Sequence, residues 1–159
     1  MTHEPTETEK QEALRNAVAA LGKHLGIDPQ ALWVLAKPQE HEHHGLAVYD
    51  IEGQEYAIGT DQEADAAARD YIEESLWAFN ANFILSCCGL DLSGAESLQD
   101  MQGKACEGAQ DFIASLIEKT CGLEYFAERA TREDGRGHFL SPYDGEEIEL
   151  PNNFYAYKI

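Results

Sequence analysis

Positive charge is scarce in this chain. Its 159 residues carry 11 Lys and Arg against 30 Asp and Glu, a formal net charge of -19. Phosphate contacts need Lys and Arg, so this balance argues against direct nucleic-acid binding, and anionic membranes are disfavoured for the same reason. Long apolar runs are also missing. None approaches the roughly 18–20 residues that a membrane span needs. The N-terminus, Met1-Thr-His-Glu-Pro-Thr-Glu, has neither the basic start nor the apolar run of a signal peptide, so the expected compartment is the cytoplasm. Cysteine is sparse. Cys87, Cys88, Cys106 and Cys121 include no C-x-x-C pair, which argues against a zinc knuckle or a thioredoxin-like site. In a reducing compartment they are expected as free, partly buried thiols. No nucleotide-binding or nucleophile motif is complete, so no cofactor and no metal are expected.

What is present suits a folded domain. Hydrophobic residues make up 43%, too many for a disordered acidic polymer. The expectation is a single acidic α+β domain over 1–159, with residues 1–8 a loose tail and 9–36 a helical hairpin. Leu14, Val18, Leu21 and Leu25 recur at helical spacing, with Gly22 and Gly26 weakening and then ending the helix. Asp28-Pro29 restarts a helix with Leu32, Trp33 and Leu35 as core residues. Two helices joined by a glycine turn have the outline of a helix-turn-helix, but the second is apolar rather than basic. An αα-hairpin packed on the core is the better reading. Pro38 ends that unit, and Gln39–Gly45 reads as a polar loop. His41, His43 and His44 there have metal-ligand chemistry, but no fourth ligand is specified.

Leu46–Ile51 and Gln54–Ile58 flank Glu52-Gly53 and read as a tight hairpin, with Tyr49, Ile51, Tyr56 and Ile58 on its buried side. Thr60 and Glu63 make a capping box for a helix to about Phe79, whose buried stripe runs through Ala64, Ala67, Ala68, Tyr71, Ile72, Leu76 and Phe79. Asp61, Asp65, Asp70, Glu73 and Glu74 lie off that stripe. A short helix over 83–88 follows, then one opened by a Ser93/Glu96 box and ended by Gly103. A helix over 106–120 should bury Ala109, Phe112, Ile113, Leu116 and Ile117, and a last one ends near Arg132. Strands over 147–150 and 154–159, turned by Pro151-Asn-Asn153, complete the pattern. The predicted fold class is α+β: a small antiparallel sheet of two hairpins with several helices packed on one side.

Between the last helix and the last hairpin, Asp134–Glu147 crowds Arg136, His138, Ser141, Tyr143 and Asp144 among three glycines. His138, Ser141 and Asp144 name the parts of a hydrolytic triad, but a triad needs three-dimensional register that local crowding does not supply. No G-x-S-x-G elbow is present. The expectation is a turn-rich connection in which Arg136 and His138 tie the last hairpin to the helices, with no catalytic residue assigned.

Three segments together resemble small acidic proteins encoded by tailed bacteriophages: Glu55-Tyr-Ala-Ile-Gly-Thr-Asp-Gln-Glu-Ala-Asp65, Tyr71-Ile-Glu-Glu-Ser-Leu-Trp-Ala-Phe-Asn80, and Asp134-Gly-Arg-Gly-His-Phe-Leu-Ser-Pro-Tyr-Asp-Gly-Glu-Glu147. The resemblance covers residues 46–159 and implies a source and a fold rather than a reaction. It favours a non-enzymatic accessory protein that binds and inhibits a host nucleic-acid-binding protein. That protein would be of the anti-restriction or anti-CRISPR type, by mimicry of DNA charge. Asp61, Asp65, Asp70, Glu73 and Glu74 are the expected partner-binding residues. The alternatives are a small metal-dependent or hydrolytic enzyme centred on His138, and a phage structural or assembly protein.

Overall fold

A five-stranded antiparallel sheet of order β1-β2-β3-β5-β4 carries one part of the molecule. Its strands are β1 (Ala36–His43), β2 (Leu46–Ile51), β3 (Gln54–Thr60), β4 (Ile148–Leu150) and β5 (Phe154–Lys158). The computed structural model describes residues 3–159. The helices are α1 (Glu7–His24), α2 (Pro29–Leu35), α3 (Asp61–Glu74), α4 (Ala81–Cys87), α5 (Ala95–Ala105), α6 (Gln110–Lys119), α7 (Leu123–Asp134) and α8 (Arg136–Leu140). The α+β class therefore stands. The chain groups into two compact units, one made of residues 1–67 and 136–159, the other of 68–135, with the division inside α3.

In the first unit, α1 begins earlier than the loose tail allows. Thr6 caps it: its hydroxyl accepts from the Glu9 N–H, and Glu9 Oε2 accepts from the Thr6 N–H at 2.7 Å. A Thr-x-x-Glu box two residues upstream of Thr8 sets the start. Residues 1 and 2 of the predicted tail lie outside the described residues. Gly22 does not weaken α1. A Cβ there would meet Leu32 Cδ1 at 2.6 Å, so the missing side chain lets α2 approach. Ala17, Val18, Leu21 and Leu32 pack with Ile51, Tyr56, Ile58, Leu150, Phe154 and Ala156 into one core. Trp33, expected in that core, is instead exposed and stacks under the Arg15 guanidinium at 4.4 Å.

The predicted loop over residues 39–45 is a strand for most of its length. β1 pairs antiparallel with β2, with a shift of register between Pro38 and Glu42. An edge strand tolerates Pro38 and carries polar residues on its exposed side, which is why it shows no apolar alternation. The turn into β2 is His44-Gly45, with φ of 49 and 86, and the next is Glu52-Gly53, with φ of 55 and 83. Positive φ at both central residues is the hairpin geometry that matches strand twist. The face with Tyr49 and Ile51 is buried as expected, but Leu46, Val48, Ala57 and Tyr157 on the other face are buried too.

α3 opens with both arms of the Thr60–Glu63 box, at 3.1 and 3.2 Å. It stops at Glu74 rather than Phe79, where Ser75 Oγ donates to the Tyr71 carbonyl and a single 3-10 turn, Leu76–Ala78, follows. Tyr71 is exposed. In the second unit, Asp91 rather than Ser93 supplies the cap before α5, and α5 runs through Gly103 to Ala105. Phe112 is 56% exposed, whereas Ile113, Ile117, Phe126 and Ala130 form the buried side of α6 and α7. Phe79, Phe83 and Phe126 cluster with ring centroids 5.1–5.9 Å apart. The irregular backbone after α3 is held by two amides. Gln102 Nε2 donates to the Trp77 and Phe79 carbonyls, and Gln110 accepts from Trp77 N–H and donates to the Glu73 carbonyl. No helix among the described residues is long and apolar enough to cross a membrane.

Candidate functional site

The Asp134–Glu147 stretch holds one short helix, α8, and then a turn over 142–144. Gly135, at φ 81, ends α7, and α8 follows at once. The Ser141 N–H then donates to the Gly137 carbonyl and the Gly145 N–H to the Ser141 carbonyl, each at 2.9 Å. Gly137 is essential to this coil. A Cβ there would lie 2.5 Å from the Gly145 carbonyl oxygen and 2.9 Å from the Glu146 carbonyl carbon.

Arg136 emerges from this coil into a nest of carboxylates. Its Nη1 donates to Asp61 Oδ1 at 2.8 Å and Asp65 Oδ1 at 3.0 Å, and its Nε to Glu147 Oε2 at 2.9 Å. The guanidinium also lies 4.4 Å from the centre of the Tyr155 ring, and its side chain is only 11% exposed. Burial opposes its charge, but hydrogen bonds to Glu147 and Asp61 outweigh that and raise its pKa above the ordinary value. The Tyr157 hydroxyl donates to Glu147 Oε2 at 2.5 Å, and burial followed by that carboxylate pushes the phenol up. The cluster is thus Arg136, Asp61, Asp65, Glu147, Tyr155 and Tyr157. Reading the sequence singles out Arg136 as a tie and Asp61 and Asp65 as partner-binding acids without joining them, places Glu147 at the end of the same stretch, and gives Tyr155 and Tyr157 no role at the site. The available signal was the spacing of Tyr155 and Tyr157, two apart on a strand and so on one face.

The remaining residues of the stretch do not assemble as a triad. Ser141 is buried, and its hydroxyl lies 2.7 Å from both Asp144 Oδ1 and the Lys158 carbonyl. Asp144 also accepts from the Glu146 N–H, and that bond followed by the Ser141 hydroxyl lowers its pKa. His138 is exposed, its ring edge-on to Phe139 at 5.0 Å. Tyr143 is exposed and carries the Lys158 ammonium 4.0 Å above its ring. Of the two expected ties, Arg136 makes the long-range contacts with the helix and hairpin.

The histidines sit at the β1 edge. His41 pairs with Glu55 at 3.1 Å, and His43 Nε2 lies 3.0 Å from the Leu140 carbonyl. Desolvation first, then the His44 charge, lowers the His43 pKa despite that carbonyl. Only a protonated ring nitrogen can donate to that carbonyl, so Nε2 is committed away from a metal while Nδ1 is not.

On α3 the five expected acids divide by their surroundings. Asp61 and Asp65 bond Arg136 within the first unit. In the second, Glu73 pairs with Arg69 at 2.9 Å, one turn away, and Asp70 and Glu74 are exposed. The second unit also holds a half-open cleft of roughly 410 Å³, lined by Trp77, Phe79, Asn80, Gln99, Gln102 and Cys106 among others. None of the side chains lining it is charged.

No protein-family model, no curated protein and no solved structure matches this chain.

Proposed function

We propose that this chain is a non-enzymatic acidic binding protein that covers the basic nucleic-acid-binding surface of another protein. Its setting would be the cytoplasm of a phage-infected cell, with an anti-restriction or anti-CRISPR role. The observation that carries the reading is the charge of -19 on a folded chain, with carboxylates on its helical surface. On α3, Asp70 lies three residues before Glu73 and four before Glu74, spacings that bring Cβ atoms to about 5–6 Å of one another. Such a patch attracts a groove built for phosphates and speeds encounter with it. Asp61 and Asp65 are bonded to Arg136 and Glu73 to Arg69, so part of the charge on each of these three is already neutralised. The held Ser141 hydroxyl and exposed His138 support a role without catalysis.

The test is affinity capture from host lysate followed by measured binding to the purified partner. A nucleic-acid-binding protein should be recovered, and duplex DNA should displace it. The paired substitutions Asp70→Lys and Glu73→Lys should weaken binding about tenfold or more. A partner that ignores both DNA and the charge reversal refutes the proposal.

A further inference from the structure

Basic residues gather in one stretch of this acidic chain. Residues 13–38 hold Arg15, Lys23 and Lys37 against one acid, Asp28, whereas the whole chain has 11 bases and 30 acids. The same stretch leaves three large apolar side chains uncovered: Val34 is 74% exposed, Trp33 42% and Leu25 37%. Just before it, α1 begins with Glu7, Glu9 and Glu12, with Lys10 among them, and it ends on Lys23 and His24. The helix therefore runs from an acidic first half to a basic second half.

Ala17, Val18, Leu21 and Gly22 turn one side of α1 to the core. At about 100° per residue, Glu12, Asn16, Ala19 and Lys23 fall together on the opposite side. All four are exposed. Their spacing of four, three and four residues is the same read from either end, with unlike charges at the two ends and short side chains between. Arg15 lies on the flank of this line, its guanidinium 4.4 Å from the centre of the Trp33 ring. Trp33 of α2 is thus held beside the middle of α1.

We propose that α1 and α2 form the face by which two copies of this chain associate as a two-fold dimer, with the two α1 helices antiparallel. A two-fold interface uses one patch twice, so the patch must complement itself. In this register Glu12 faces the partner's Lys23, Lys23 faces the partner's Glu12, and Asn16 and Ala19 meet at the axis. Short side chains there let the two helices approach closely. The axis keeps both Trp33 rings on one side of the seam, where apolar surface open in the single chain becomes covered. Trp and Arg are the residue types that most often anchor an interface. Charge selects the occupant. Two copies of a chain with a net charge of -19 repel one another in most orientations, and this face brings acids against bases instead. A basic partner would be drawn to the acids of α3, with which the face shares no residue, so the dimer stands apart from the binding role proposed above.

Sedimentation velocity of the full chain over a range of concentrations tests the proposal. The parent protein should show a monomer–dimer equilibrium. Glu12→Lys sets base against base and Lys23→Glu sets acid against acid, so each should raise the dimer Kd about tenfold or more. Mixed one to one, the two variants should restore a dimer, because every charge in the mixed seam meets its opposite. Trp33→Ala should weaken the dimer about tenfold or more, whereas Phe112→Ala, at an exposed ring on α6, should leave it unchanged. All of these positions are exposed or partly so, and circular dichroism checks that each variant keeps its helices. A parent that stays monomeric throughout, a dimer that either charge substitution leaves intact, or variants that fail to associate on mixing overturns the proposal.

Discussion

One guanidinium satisfies three carboxylates at Arg136, and its removal would leave Asp61, Asp65 and Glu147 facing one another without a cation. Arg136→Met keeps much of the volume against Tyr155 and deletes the charge. Because Asp61 and Asp65 are 53% and 64% exposed, water screens part of the loss. The expected cost is about 2–3 kcal/mol in urea unfolding, with Arg136→Lys intermediate. A loss below about 0.5 kcal/mol would mean that the cluster is ornamental. His43 makes a separate, pH-dependent prediction. Its pKa lies below the ordinary 6.5 in the folded protein. Above that pH both folded and unfolded forms are neutral. As pH falls through 6.5 the unfolded chain takes up the proton first, so stability is lost on acidification. His43→Gln should therefore flatten the change in urea midpoint between about pH 7 and about pH 5.5. An unchanged slope would assign the acid sensitivity elsewhere. At this scale Arg136 was legible as a tie, because an arginine between glycines in a mixed polar stretch invites one. Its partners Asp61 and Asp65 were not, since they lie 75 and 71 residues away and no local pattern encodes that pairing.

Helices and turns announced themselves where a local signal was strong. Thr60 with Glu63, Asp28 with Pro29, and Glu52-Gly53 each name a backbone geometry, and each forms as expected. β1 escaped because an edge strand is stabilised by backbone bonds on one side and exposes the rest. Its sequence, Lys-Pro-Gln-Glu-His-Glu, looks like a loop. The apolar period runs on through Leu76 and Phe79 and so predicts a longer α3, although Ser75, just before them, breaks the ladder. Two glycines show how differently one residue type serves an element. Gly137→Ala puts a methyl group against the Gly145 carbonyl. Uncoiling the segment that presents Arg136 should cost about 2–4 kcal/mol. Gly103, inside α5, has nothing within 4 Å of the corresponding position, so Gly103→Ala should stabilise by about 0.5 kcal/mol. Thermal unfolding of both variants decides the matter, and a tolerated Gly137→Ala would contradict the tight coil.

For the whole molecule, the balance of 30 acids against 11 bases means that folding gathers like charge. Sodium chloride should raise the melting temperature by about 3–6 °C between low and physiological ionic strength, because screening relieves self-repulsion. A falling melting temperature would show that the Arg136 and Arg69 pairs outweigh that repulsion. The division at Ala67 was invisible in the sequence, because the helix crossing it is unbroken and no linker marks it. The sheet's order has one further consequence, for synthesis. β5 lies between β3 and β4, yet it is made last, after all of residues 68–135. On the ribosome, the hairpin strands β1, β2 and β3 emerge early with one flank of β3 unfilled. The intervening helices can pair and bury their own side chains long before it is filled. The nascent chain therefore carries an open strand edge throughout the making of residues 61–153, and until β5 arrives that edge can recruit a strand from a neighbouring chain.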